Sequence, residues 1–117
     1  MPDNIDRGRA AENRACTFLE ANGYTSVARN YTCRVGEIDL IVIDATTLVF
    51  VEVRYRSNQQ HGTGAESVTR SKMLKIIRAA RYFLLNHPQY GVLDQRFDVI
   101  SISTDLDWIE NAFTLDG

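Results

Sequence analysis

The chain has 117 residues, of which 44% are hydrophobic and 24% charged, which allows one buried core and leaves no room for a second. No stretch approaches the roughly 20 apolar residues of a membrane span, and the opening MPDNIDRGRAAENRA lacks the apolar run of a secretory signal. The net charge of −2 weighs against a nucleic-acid partner, which usually selects basic domains.

That charge is unevenly spread. Residues 1–90 carry 12 basic and 9 acidic side chains, and residues 91–117 carry 1 and 6, so the body of the chain is basic and the tail acidic. Cys16 and Cys33 have neither zinc-ligand spacing nor a CxxC partner and read as two buried, reduced thiols. The expectation is a single domain over 1–117, located in the cytoplasm, with no membrane partner.

Residues 5–22 are predicted to be a helix, because Ala11, Ala15, Phe18 and Leu19 recur on one face and Gly23 follows. Residues 26–34 read as a strand. Residues 37–43 and 48–55 form a hairpin around a polar break at 44–47. Residues 56–66 (RSNQQHGTGAE) are polar and contain glycine, which predicts a mobile loop. Residues 67–86 are predicted to be a second helix with Met73, Ile76, Ile77, Ala80, Phe83 and Leu84 as its apolar stripe, broken by Pro88 and Gly91. Residues 96–103 read as a strand. The tail DLDWIENAF has no decisive periodicity.

The hairpin is apolar on both sides. Alternation puts Ile38, Leu40, Val42, Val49, Val51 and Val53 on one face, and Ile41, Ile43, Leu48 and Phe50 on the other. A sheet of this kind must be covered on both faces. The expected fold is therefore α/β and three-layered, in the order α-β-β-β-α-β. Its mixed sheet would have the hairpin at its centre and the second helix crossing over to the last strand.

Three carboxylates interrupt these apolar runs. Either a two-residue or a four-residue loop gives the same hairpin register, with Asp39 opposite Glu52 and Glu37 opposite Arg54. Two carboxylates about 5 Å apart repel by roughly 3 kcal/mol at an effective dielectric of 20, a large part of a small domain's stability. A shared proton, Arg54 or a divalent cation would offset that, and hard oxygen ligands on rigid strands suit Mg²⁺ or Mn²⁺. Glu12, flanking the apolar stripe of the first helix, is a candidate third ligand. Lys72 flanks the stripe of the second helix and could reach the same sheet face. Arg70, Lys75, Arg78 and Arg81 point away from that stripe and form a basic outer face suited to phosphates.

The spacing D-x12-E-x-[KR] resembles the metal-binding signature of the restriction-endonuclease-like PD-(D/E)XK superfamily. The stretches GRAAENRA, GEIDLI, FVEVRYR, the region around Lys72 and Ala80, RFDVI and IENAF together resemble the YraN family (uncharacterised protein family 0102) over nearly the whole chain. Its members are predicted endonucleases distantly similar to archaeal Holliday junction resolvases. The resemblance implies a restriction-endonuclease-like core and a Mg²⁺- or Mn²⁺-dependent hydrolysis of DNA phosphodiester bonds, with branched or flap structures among the substrates. It implies Glu12, Asp39 and Glu52 as metal ligands, and Asp39, Glu52 and Arg54 as catalytic residues.

Arg54 departs from the lysine usual at its position. Arginine can hold a phosphate but cannot serve as a base, so Arg54→Lys is expected to raise a cleavage rate limited by that step. Glu37, Arg56, His61 and Lys72 are candidate phosphate or substrate contacts. The competing expectation is a nucleic-acid-binding or partner-binding module that keeps the nuclease fold with weakened chemistry. Cutting both strands of a junction would suit a two-fold homodimer.

Overall fold

The computed structural model describes residues 4–56 and 68–114; the expected loop over 56–66 thus lies, apart from Arg56, outside the described residues. Helix α1 (Asn4–Ala21) is followed by strands β1 (Thr25–Cys33), β2 (Gly36–Ile43) and β3 (Thr47–Tyr55). Helix α2 (Arg70–Asn86), a 3₁₀ turn at Pro88–Val92, and strands β4 (Asp94–Ile102) and β5 (Leu106–Phe113) complete the order. The sheet runs β1-β2-β3-β4-β5. Only the β3–β4 pair is parallel, because α2 carries the chain back across one face between them.

Local chemistry sets the ends of the helices. Gly23, at φ 93°, closes α1. Its N–H donates to Glu20 O and the Tyr24 N–H to Leu19 O, the bonding pattern of a left-handed helix cap. Helix α2 starts three residues later than the expected boundary at 67. Val68 and Thr69 lie outside it, and the Thr69 hydroxyl accepts the Lys72 N–H at 3.2 Å. Pro88, which cannot continue a helix, follows the C-terminal cap at His87.

The hairpin turn is held by Asp44, whose Oδ1 accepts the N–H groups of Thr46 (3.0 Å) and Thr47 (2.9 Å). It sets the expected register: Leu40 faces Val51, Ile41 faces Phe50, Val42 faces Val49 and Ile43 faces Leu48. The ambiguous tail becomes β5, antiparallel to β4.

Each face of the sheet carries its own core. Helix α1 covers Leu40, Val42, Val49, Val51 and Ile100 through Ala11, Ala15 and Leu19. Helix α2 covers Ile38, Ile41, Leu48, Phe50, Phe97 and Val99 through Ile76, Ile77, Ala80 and Phe83. At about 1.5–3 kcal/mol for each fully buried large apolar side chain, these two layers are what hold the sheet between its helices. Cys16 is buried and Cys33 half-buried, and both are free thiols. No helix among the described residues is long and apolar enough to cross a membrane.

One residue breaks the expected alternation. Ile38 belongs to the α2-side core, whereas Leu40 and Val42 belong to the α1-side core. The partner strand breaks in step. Arg29, paired with Leu40, bonds to Asn13 of α1, while Tyr31, paired with Ile38, packs edge-on against Phe83 of α2. Between them stands Asn30, at φ 52°, a left-handed conformation that asparagine tolerates better than most residues. Strict pleating therefore fails at Asn30 and Asp39 together, which is why Ile38 leaves the face that alternation assigned to it.

Candidate active site

Where the alternation breaks, β2 also parts from β3. The recorded ladder ends at Leu40 and Val51, one pair short of Asp39 and Glu52. The Val53 N–H, which points toward β2, donates instead to Asp39 Oδ2 at 2.8 Å. The carboxylate thus takes the place of a missing backbone acceptor and sits in the gap between the separating strands.

Asp39 and Glu52 do meet there, side chain to side chain. Burial pushes the Asp39 carboxyl up, the charge of Glu52 and a hydrogen bond to Glu52 push it further, and the Val53 N–H and Lys72 oppose this; the result is about 8. Asp39 therefore holds its proton to a higher pH than an ordinary carboxylate does. Glu52 is buried, at 4% exposure, so its charge needs a partner within the protein. Two cations supply it: Lys72 Nζ lies 3.5 Å from Glu52 Oε2, and Arg54 Nη1 lies 3.7 Å from the same oxygen. A helix capped at Thr69 presents Lys72 in its first turn, directly over the sheet position of Glu52.

Glu12 is half-buried on α1 and borders this cluster. Burial raises its carboxyl, a hydrogen bond with Asn30 and the charge of Arg29 lower it, and the charges of Asp39 and Glu37 raise it. The expected facing of Glu37 and Arg54 does not form, because β2 has left β3 by that point. Glu37 is exposed and pairs with Thr32 of β1. Arg56 turns to β5, where it meets Asp107 Oδ2 at 3.1 Å, and His61 lies outside the described residues. The structure therefore gathers Asp39, Glu52, Arg54 and Lys72, sets Glu12 beside them with exposed Glu37 near Glu12, and turns Arg56 toward β5.

Two further residues shape the site. Asn30 links Glu12 to the break opposite Asp39. Its signal in the sequence was an asparagine in mid-strand, a residue depleted in strands and tolerant of the left-handed region. Gly36, which opens the GEIDLI run, allows the β1–β2 turn to touch α2: a Cβ there would sit 2.8 Å from the Lys75 carbonyl oxygen.

Among the described residues no three acidic, histidine or cysteine side chains converge to hold a metal by themselves. Asp39 and Glu52 are the hard-oxygen donors that meet. Two carboxylates that meet in this way fit a divalent cation in chemistry, since Mg²⁺ is commonly held by one or two carboxylates together with water and substrate phosphate.

An α/β sheet with a helix on each face, opened at a hairpin edge by an acid pair and two cations, has the architecture of a three-layer nuclease-like core. The profile of the uncharacterised protein family UPF0102 matches residues 11–102, and the chain belongs to that family. A UPF0102 protein of Saccharophagus degradans is 47% identical over 116 residues, covering 98% of each chain. Another, of Aeromonas hydrophila, is 49% identical over 115 residues, covering 97% of this chain and 88% of its own. A third, of Alcanivorax borkumensis, is 45% identical over 112 residues, covering 91% and 90%.

Proposed function

We propose that the protein is a metal-dependent endonuclease of the cytoplasm that hydrolyses phosphodiester bonds in DNA, branched or flap structures included. The observation that carries this reading is the meeting of Asp39 and Glu52 where β2 parts from β3, with Lys72 and Arg54 both drawn to Glu52. Asp39 and Glu52, with Glu12 beside them, would hold Mg²⁺ or Mn²⁺. When bound, such a cation supplies an activated water and charge stabilisation at the phosphate. The Val53 N–H fixes the orientation of the Asp39 carboxylate. Lys72 and Arg54 sit where negative charge would build on a phosphoryl group, and both can stabilise it. Lys72, delivered by α2, takes the place of the lysine that the strand lacks at position 54. Two copies of the chain would serve a two-fold junction, each supplying one such site.

Three measurements test this. Mn²⁺ at 100 times its Kd should stabilise the protein by about 2.7 kcal/mol, and Asp39→Asn should abolish that response. Single-turnover cleavage of junction and flap DNA should require Mn²⁺ or Mg²⁺, with Glu52→Gln as the inactive reference. Lys72→Met should lower the rate roughly a hundredfold, and Arg54→Lys should change it little if Lys72 already fills the lysine's role. Metal binding without any cleavage, at enzyme excess, would overturn the nuclease reading.

A second reading is a nucleic-acid-binding module with lapsed catalysis. It is favoured by Glu52 being already ion-paired to two cations, which compete with any metal for its oxygens.

A further inference from the structure

Helix α2 carries Arg70, Lys72, Lys75, Arg78 and Arg81 and no acidic residue over its 17 positions. Arg70, Lys75, Arg78 and Arg81 are all exposed, and at 100° per residue they fall within one outward arc, opposite the buried Ile76, Ala80 and Phe83. Among the described residues no ion pair involves any of these four.

This arrangement is unfavourable for the helix. Arg70 and Lys72 stand in the first turn, where the helix dipole disfavours cations. Lys75 and Arg78, and Arg78 and Arg81, are three apart and repel. Lys72 is compensated by Glu52, whereas the other four have no such partner among the described residues. The β1–β2 turn, whose Gly36 packs against the Lys75 backbone, carries a further exposed cation, Arg34. All this lies in a chain whose net charge is −2, so the outer face of α2 is a local concentration of positive charge on an otherwise acidic molecule.

We infer that the outer face of α2 is a rail for the backbone of a duplex arm, leading its phosphates to the Glu52–Lys72 end of the helix. The inference rests on the phosphodiester reading of that end. From Arg70 to Arg81 the helix rises about 16 Å, and duplex DNA advances 3.4 Å per phosphate on each strand, so the rail spans about five phosphates of one strand. Single strands are usually gripped by successive stacked aromatics. On this face Tyr82 is the one exposed aromatic among the described residues, which favours a duplex.

The test is fluorescence anisotropy of the full chain with a labelled 20-base-pair duplex in EDTA, where no cleavage occurs, from 50 to 200 mM NaCl. With four phosphate contacts, affinity should fall roughly a hundredfold across that range. Arg78→Gln/Arg81→Gln should fall only about tenfold, since each lost contact removes about one unit of slope. Arg9→Gln, an exposed cation on α1, should behave as the native protein. An unchanged slope in the double variant, tighter binding of the matching single strand, or no duplex binding at all would overturn the rail. Binding with the expected slopes but no Mn²⁺-dependent cleavage would leave the rail standing and count against the nuclease reading alone.

Discussion

Asp39 and Asp98 are both carboxylates set into the middle of the sheet, and the protein treats them oppositely. Asp98, on β4, is completely buried and its four acceptor positions are filled. Its Oδ1 accepts Arg96 Nε at 2.8 Å and the Asn111 N–H at 2.9 Å; its Oδ2 accepts Arg96 Nη2 at 3.0 Å and Trp108 Nε1 at 2.9 Å. Arg96 is anchored in turn by the Tyr24 hydroxyl at 2.8 Å. Asn111, at φ 53°, bends β5 so that its N–H reaches the acid. Asp39 accepts one backbone N–H and otherwise faces another carboxylate. A buried acid satisfied wholly from within is a structural joint. A half-buried acid left facing a second acid is instead only partly satisfied from within.

The sharpest way to break this comparison is to remove each acid. Asp98→Ala would strand the Arg96 guanidinium and two N–H donors, and should cost about 3–5 kcal/mol in urea unfolding. Asp39→Asn should leave the metal-free protein at least as stable at pH 8, because it removes a repulsion and keeps an acceptor for the Val53 N–H. Equal losses in both variants would end the distinction.

The pH dependence sharpens it further. The Asp39 carboxyl in the folded protein lies above the ordinary carboxylate value near 4. Its contribution to stability is therefore complete below pH 4 and is lost as the pH rises through about 8. The difference in unfolding free energy between native protein and Asp39→Asn should shift in favour of the variant across that window, by up to about 1.4 kcal/mol per pH unit. A flat difference from pH 4 to 9 would show that the folded protein does not raise the Asp39 carboxyl.

The smallest effect concerns how the open end is held. Without a β2–β3 ladder beyond Leu40, the β1–β2 turn is held by its own ladder as far as Cys33 and Gly36 and by its contact with α2. Gly36→Ala should cost about 1–3 kcal/mol through the clash with the Lys75 carbonyl, and should weaken Mn²⁺ stabilisation if Lys72 shifts with its helix. A neutral substitution would mean that the open end is held by the strands alone.

Residue pattern determined a great deal by itself. Apolar periodicity placed both helices and four of the five strands to within a few residues, because the period of 2 or 3.6 is a property of the local backbone. The hairpin register followed from the break at 44–47, and with it the meeting of Asp39 and Glu52. Three things needed the tertiary structure. The parting of β2 from β3 coincides with the break in pleating at Asn30 on the neighbouring strand β1. The tail became β5 only by pairing with β4 and wrapping Asp98, since its own alternation is too weak to specify a strand. Lys72 reaches Glu52, twenty residues away in the chain, because α2 docks on the sheet through Ile76, Ile77 and Phe83. Local preference is written in neighbouring residues, whereas which distant charges meet is decided by how the apolar faces pack.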